Sequence, residues 1–380
     1  MTAARIIAIA ALAAGSELTA TAAGAQSLTT LQSFTGLEQY AGLLSYGGSL
    51  YGTTQDQGSF GNGSVYRIDP SSGAETLLYS FSGGSDGGDP VQTLIYANGT
   101  FYGTTAAGGA NNTGTVFKFD PATGVETVLY SFGGISDRSD GNFPFGQLMY
   151  YNGKLYGTTT MGGASNCGTI YEVDPATGAE TVLASFTRTE GKHPSSNIVY
   201  LKGALYGVAE EGGNTSLSAG TLFKLTLKTN ALTVVHYFSD KKNDGAAPLG
   251  GLINVNGTLY GTTGAGFGNA AGGTVFKLDP ATGAETVLHA FTGGADGSLP
   301  CDAMIYVNGM LYGTTQFGGP TDTGTLFQID PATGAETVMY SFTGGADGGH
   351  AFAGLTYLNG DFYGTTENDF NGGTVFRFVP

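Results

Sequence analysis

The chain has 380 residues, of which 41% are hydrophobic and 12% charged, with 66 glycines, 21 tyrosines, 23 phenylalanines and no tryptophan. Its net charge of -16 argues against a nucleic-acid partner, since binding to a phosphate backbone needs clustered Lys and Arg to release counterions. Aromatic residues at regular intervals also exclude a disordered glycine-rich chain, which has too little apolar surface to bury.

The N-terminus carries one charge at Arg5, an apolar stretch from Ile6 to Ala14, and then Ala23, Gly24 and Ala25 before Gln26. This is the pattern of a secretory signal peptide over residues 1–25 with a small-residue cleavage site, and it leaves residues 26–380 as one domain. No later stretch approaches the ~20 apolar residues of a spanning helix. The mature chain is therefore expected to be soluble and monomeric, in the periplasm or outside the cell, with surface association possible. Cys167 and Cys301 fall three repeats apart. In a ring that separation predicts two unpaired thiols.

The most repeated stretch is Leu-Tyr-Gly-Thr-Thr, first at residues 50–54, with its tyrosine recurring at Tyr51, Tyr102, Tyr156, Tyr206, Tyr260, Tyr312 and Tyr363. A fixed period of this size marks a propeller, solenoid or array. In the second copy Leu94, Ile95 and Tyr96 form a short strand, Asn98 and Gly99 turn it, and residues 101–105 run back. Asn-Gly between such runs predicts a type I′ hairpin, which needs positive φ at both central residues. Residues 114–119 supply a third strand, Asp120 to Gly124 a second turn, and residues 126–132 a fourth strand. Pro presets φ in that turn, Asp bonds its own backbone, and Gly takes the left-handed position.

Four antiparallel strands joined by tight hairpins make one propeller blade. The last copy stops after its third strand, at residues 373–378, while residues 28–34 read as an orphan fourth strand. The prediction is an all-β, seven-bladed β-propeller of four-stranded antiparallel blades, closed by the N-terminal strand as the outer strand of blade seven. Alternation along Leu-Tyr-Gly-Thr-Thr puts tyrosine and the first threonine on one face. The tyrosine reads as inter-blade packing, and the glycine as the point where the neighbouring blade approaches the backbone. Seven tyrosines could instead form a stacking platform, but that needs exposed rings.

Tyr-Gly-Thr-Thr with a Gly-Gly loop, Gly-Thr-Val-Phe with Lys or Gln, Asp-Pro, and Ser-Phe with Gly-Gly and Asp-Gly resemble the GloVer (Gloeo/Verruco) tandem repeat of exported bacterial proteins. The resemblance covers residues 28–380 and implies a secreted or surface-associated repeat protein. It brings no established reaction or catalytic set, and the chain ends at Val379 and Pro380 without an anchor segment.

The longer connections, between strands two and three and from blade to blade, emerge on one face, where binding residues concentrate on a rigid scaffold. The blade-to-blade loops carry an acid followed by Gly at Asp86, Asp140, Glu190, Asp244, Asp296 and Asp347. Such a ring of carboxylates could take structural calcium or present an acidic funnel to a cation; equally, Asp-Gly makes a turn in each loop. His193 and His350 share a loop position three residues after the acid, and histidine is the side chain best suited to proton transfer near neutrality. His236 and His289 stand where other outer strands have Tyr79, Tyr130 and Tyr340, and read as structural substitutes.

Blade four is irregular, with Val208 and Ala209 in place of Thr-Thr, then Glu210 and Glu211, and a feeding loop holding Arg188, Glu190, Lys192 and His193. Arg138, Lys241 and Lys242 flank the same sector, which could grip an anionic sugar or could simply have drifted. Cys-x-x-Cys, His-Glu-x-x-His and phosphate-loop motifs are absent. The leading expectation is a non-enzymatic binding or scaffold propeller that recognises a polymer or protein partner through its long-loop face. The other is a lyase-like polysaccharide enzyme with its site on blades three to five, using His193 or His350.

Overall fold

The computed structural model describes residues 26–34, 41–133, 139–213, 218–239, 244–266, 272–367 and 372–380. The expected signal peptide, Arg138, Lys241 and Lys242 lie outside them. At the first hairpin of every blade both central residues have positive φ, as at Asn98 (51°) and Gly99 (84°), which is the backbone a type I′ turn requires. Lys202 adopts the same conformation at 47° in blade four. The turn geometry is thus kept where the asparagine is lost.

Each blade is a four-stranded antiparallel sheet, represented by Ile95–Ala97, Thr100–Thr105, Thr115–Phe119 and Glu126–Ser131 in blade two. Seven such sheets are present, and the seventh joins Thr356–Leu358, Asp361–Thr366 and Thr374–Val379 to Ser27–Ser33 at the N-terminus. The register runs from Ser27 opposite Val379 to Ser33 opposite Thr374. Ring closure by the first strand is therefore as the sequence predicts. No helix among the described residues is long and apolar enough to cross a membrane.

Between third and outer strands every blade carries a register shift, at Val116/Phe117 in blade two and Thr30/Gln32 in the closing strand. A bulge sharpens the right-handed twist of its strand, and here it swings the outer strand under the next blade. A Cβ on Gly178, in the outer turn of blade three, would collide with the carbonyl of Leu129 in blade two. The two long loops of a blade are also paired with one another, as at Gly88 and Ala107 or Gly141–Asn142 and Met161–Gly162. Both loops therefore lie on one face, stitched together by backbone bonds.

Each residue of the repeated stretch has a separate task. Tyr51 is buried against blade two, its ring centroid 4.8 Å from that of Phe101 at 72°. This is the inter-blade packing that alternation predicts, and it leaves no exposed platform at this row. The glycine corrects the sequence reading, because a Cβ on Gly103 would stand 2.6 Å from Cζ of Phe117. Phe117 pairs with Gly103 across the same blade, so the glycine makes room for its own blade's ring and not for a neighbour. In blades one, five, six and seven the first threonine crosses to the next blade, as Thr262 donates to Pro300 O at 3.2 Å and Thr365 to Ala41 O at 3.0 Å, whereas Thr104 and Thr158 of blades two and three are buried without a partner. The second pairs within its blade, with Thr105 and Thr115 hydroxyls 2.8 Å apart.

Blade four shows the cost of losing that pair. With Ala209 opposite Thr221, the Thr221 hydroxyl donates instead to Glu190 O at 2.6 Å, while Val208 joins the apolar cluster with Leu252 and Phe276 of blade five. The joint is made of different groups and keeps its place. Cys167 and Cys301 are both buried and free.

Gly103→Ala is expected to lower unfolding free energy by about 1–3 kcal/mol through overpacking against Phe117. Thr262→Ala should cost about 1 kcal/mol. Chemical denaturation midpoints measure both, and an unchanged midpoint for Gly103→Ala would show that the ring is free to move aside.

Candidate functional site

The loop acids close their own loops. Asp86 accepts hydrogen bonds from Ser82 N at 2.8 Å and from the Tyr79 hydroxyl at 3.0 Å. Asp140 accepts from Gly133 N at 2.6 Å and Tyr130 at 2.8 Å, and Asp347 from Thr343 N at 2.8 Å and Tyr340 at 3.0 Å. Asp296 takes Thr292 N at 2.8 Å, Glu190 takes Thr187 N at 3.1 Å, and Asp244 takes Ser239 Oγ at 2.7 Å. Each carboxylate thus faces its blade's outer strand, at the rim between blades.

A second acid meets this group from the following blade. Glu126, at the start of the next outer strand, lies beside Tyr79 and Asp86, and Glu180 and Glu336 stand likewise beside Asp140 and Asp296. Burial, reinforced by the loop aspartate's charge, pushes each of these glutamates up to about 7. Burial also works against the charge on Asp86, but its bonds from Ser82 and Tyr79 hold it below the usual carboxylate range. Near neutrality Asp86 therefore keeps its charge while Glu126 is only partly ionised.

In blade four, Lys192 Nζ and His193 Nδ1 converge on one partner, Glu211, at 2.9 and 3.6 Å. The Lys192 hydrogen bond chiefly, with His193 and Arg188 adding to it, holds the Glu211 carboxyl low. The backbone of His193 is left-handed, with φ 55°, as is that of His350 at 52°. The His350 ring rests 5.0 Å from that of Phe317. These two histidines belong to separate loops.

One space lies on the axis. The inner strands of neighbouring blades meet there and line a cavity of about 530 Å³ with Leu44, Ile95, Ile253, Ile305 and Thr356. A second cavity of about 230 Å³, towards the long-loop face, is lined by Phe145, Ser195, Glu210, Cys301 and Phe352. Gln147, Asn197 and Asp302 border both and form the partition. Asn197 donates to Leu252 O at 3.1 Å and accepts from Leu252 N at 2.8 Å. Asp302 accepts from Ala303 N at 2.6 Å and Gly354 N at 2.5 Å, while burial pushes its carboxyl up.

The wider cavity opens on the hairpin face, among side chains that sequence reading passed over as strand residues. The residue three places before each hairpin glycine is Ser45, Tyr96, Tyr150, Tyr200, Asn254, Tyr306 and Tyr357 around the ring, and all seven hold the same register against the second strand. Tyr96, Tyr306 and Tyr357 are 44%, 42% and 39% exposed. Their neighbours hold them in place: Tyr46 lies 4.6 Å from Tyr96, Tyr151 stacks on Tyr200 at 3.9 Å, and Asn98 donates to the Tyr150 hydroxyl at 2.7 Å. The signal was present as Ile-Tyr-Ala-Asn-Gly and its six counterparts.

A sequence model of the Gloeobacter/Verrucomicrobia repeat matches residues 15–219 and 201–378. No curated protein matches the chain. Among solved structures it is similar to an oligogalacturonate lyase from Vibrio parahaemolyticus, with 11% identity, TM-score 0.58 and 93% of both chains covered. It also resembles the extracellular domain of a putative hybrid two-component system from B. thetaiotaomicron, with 13% identity and TM-score 0.57 over 93% of this chain and 42% of that one. A putative 6-phosphogluconolactonase from Bacteroides uniformis gives 12% identity and TM-score 0.52 over 80% and 86%. At such identities the likeness is one of fold.

The glutamates at the rim predict a pH dependence. Their folded pKa of about 7 stands above the ordinary 4.5, so their contribution to stability is full below about pH 4.5 and is lost as pH rises through 7. Calorimetric Tm should therefore fall between pH 5 and pH 8. The triple variant Glu126→Gln, Glu180→Gln, Glu336→Gln should flatten that fall, and an equally steep slope in it would place the titration elsewhere.

Proposed function

The chain belongs to the Gloeobacter/Verrucomicrobia repeat family, and we propose that it is an exported, non-enzymatic binding propeller that takes a neutral glycan across the tyrosine-rimmed mouth of its axial channel. The observation that carries this reading is the inner ring of five tyrosines in one register, three of them about two-fifths exposed, with Tyr96 and Tyr357 lining the axial cavity and Tyr306 lining an adjoining space beside Asn254. Tyrosine offers a large apolar face and a hydroxyl while losing few rotatable bonds on binding. Sugar rings present a matching face of C–H bonds edged by hydroxyls.

Charge narrows the class of ligand. None of the seven positions in the ring is ionisable near neutrality, and the chain carries a net charge of -16, which opposes a polyanion at long range. A lyase acting on an anionic sugar would need free cations, and Lys192 and His193 are turned onto Glu211. The long-loop face, where binding was first expected, has its loops paired to one another along the backbone. Export rests on the N-terminal segment of residues 1–25 and on what the family resemblance implies.

Binding is read by isothermal titration calorimetry, with a triple tyrosine variant assigning the signal to the ring. Titration with neutral oligosaccharides and with uronate oligomers should give saturable binding of the neutral class. The triple variant Tyr96→Ala, Tyr306→Ala, Tyr357→Ala should weaken it by about tenfold or more, at ~0.5–1.5 kcal/mol per lost aromatic contact, with Tm unchanged. Binding that survives in the triple variant, or a preference for the uronates, would overturn the proposal.

A further inference from the structure

The joint between blades four and five differs from the others in a way that suits a metal ion. At the joints after blades one, two and six, a phenol closes the rim: Tyr79, Tyr130 and Tyr340 donate to Asp86, Asp140 and Asp347 at 3.0, 2.8 and 3.0 Å. After blade four the outer strand carries His236, and the imidazole Nε2 stands 3.4 Å from Asp244 Oδ1. That spacing is long for a hydrogen bond. Glu285 comes in from the outer strand of blade five, and one ligand atom from each of His236, Asp244 and Glu285 lies within 4.8 Å of the others.

We propose that His236, Asp244 and Glu285 form a structural site for a first-row divalent cation of the zinc class, clamping blade four to blade five. A tetrahedral ion with ligands at ~2.0–2.1 Å needs ligand-to-ligand edges of about 3.3–3.4 Å, and the observed His236–Asp244 separation is 3.4 Å. The donors, one imidazole nitrogen and two carboxylates, match the preference of zinc for nitrogen and oxygen and leave a fourth place for water. Glu285 Oε1 is closed off from solvent without a hydrogen-bond partner, as are the Oε1 atoms of Glu126, Glu180 and Glu336 at other joints; what sets this joint apart is that, among the described residues, it alone brings three ligand atoms within 4.8 Å of one another.

Asp244 is oriented for this task. Its Oδ2 accepts from Ser239 Oγ at 2.7 Å and its Oδ1 from Gly245 N at 2.9 Å, and such outer bonds fix a ligating carboxylate. His236 and Asp244 side chains are 19% and 14% exposed, which leaves a path for the ion to enter. The three ligands come from two outer strands and the loop between the blades, so the ion would join what the tyrosine hydroxyl joins elsewhere. The next joint repeats the residue types in His289, Asp296 and Glu336, with His289 Nε2 3.5 Å from Asp296 Oδ2, but its three ligand atoms do not come within 4.8 Å of one another as those of His236, Asp244 and Glu285 do.

The test uses the full chain equilibrated with Zn²⁺, dialysed, and assayed for metal by atomic emission and for Tm by calorimetry. One equivalent of zinc should be retained and Tm should rise. His236→Tyr restores the residue of the other joints, so it should fold and melt like the metal-free parent while losing both the bound equivalent and the zinc-dependent rise. Glu285→Gln should weaken zinc binding by about tenfold or more, and His289→Tyr should leave the stoichiometry unchanged. Zinc retained at the same level by His236→Tyr, or no zinc retained by the parent chain, would overturn the assignment.

Discussion

The ring depends on hydrogen bonds and aromatic packing that pass from the second strand of one blade to the entry of the next. Tyr51 packs on Phe101, and threonines at the equivalent of Thr53 reach the backbone that leads into the following inner strand. Where that bond is made, as at Thr53, Thr262, Thr314 and Thr365, the threonine fixes the spacing of its neighbour as well as its own strand. The outer rim adds the loop aspartates and the bulged outer strands. Blade position is thereby set at two radii, which is why a sheet with only three-residue inner strands can hold an axial cavity open.

The fold was legible because its determinants are local and repeated. Turn residues with positive φ, strand alternation and the orphan strand at each end specify blades, their number and their closure without any long-range information. The reading of glycine in Leu-Tyr-Gly-Thr-Thr failed for a related reason. Alternation tells which face Gly103 occupies, but not that the ring of Phe117 in the adjacent strand folds over it while the neighbouring blade stays further off.

The candidate site was less legible, since exposure around an axis depends on how far apart the inner strands end up. Tyr96 and Tyr102 look alike in sequence, each an aromatic residue in an apolar strand. One is 44% exposed and the other 7%, because the first lies on the innermost strand at the channel mouth and the second between two blades. Loop length drew attention to the opposite face, yet Gly88 and Ala107 and their counterparts bond loop to loop. Asp86 and its equivalents, conspicuous as a ring of acids, lie at the rim under phenols and imidazoles. A sequence shows that such acids recur, whereas their radius from the axis is a property of the assembled ring.

The closing strand has a consequence for the order of assembly. Blades one to six each draw their four strands from one continuous stretch and can form as the chain lengthens, but the partner of Ser27–Ser33 is Thr374–Val379. Ser27–Ser33 must wait for Thr374–Val379, and until then the edge of blade seven is open to any other strand. Contacts of such high sequence separation slow folding. The rate-limiting event is then expected to be a meeting of the two ends after the six interior blades are in place, so a chain delayed at that step would be prone to exchange its first strand with a second copy.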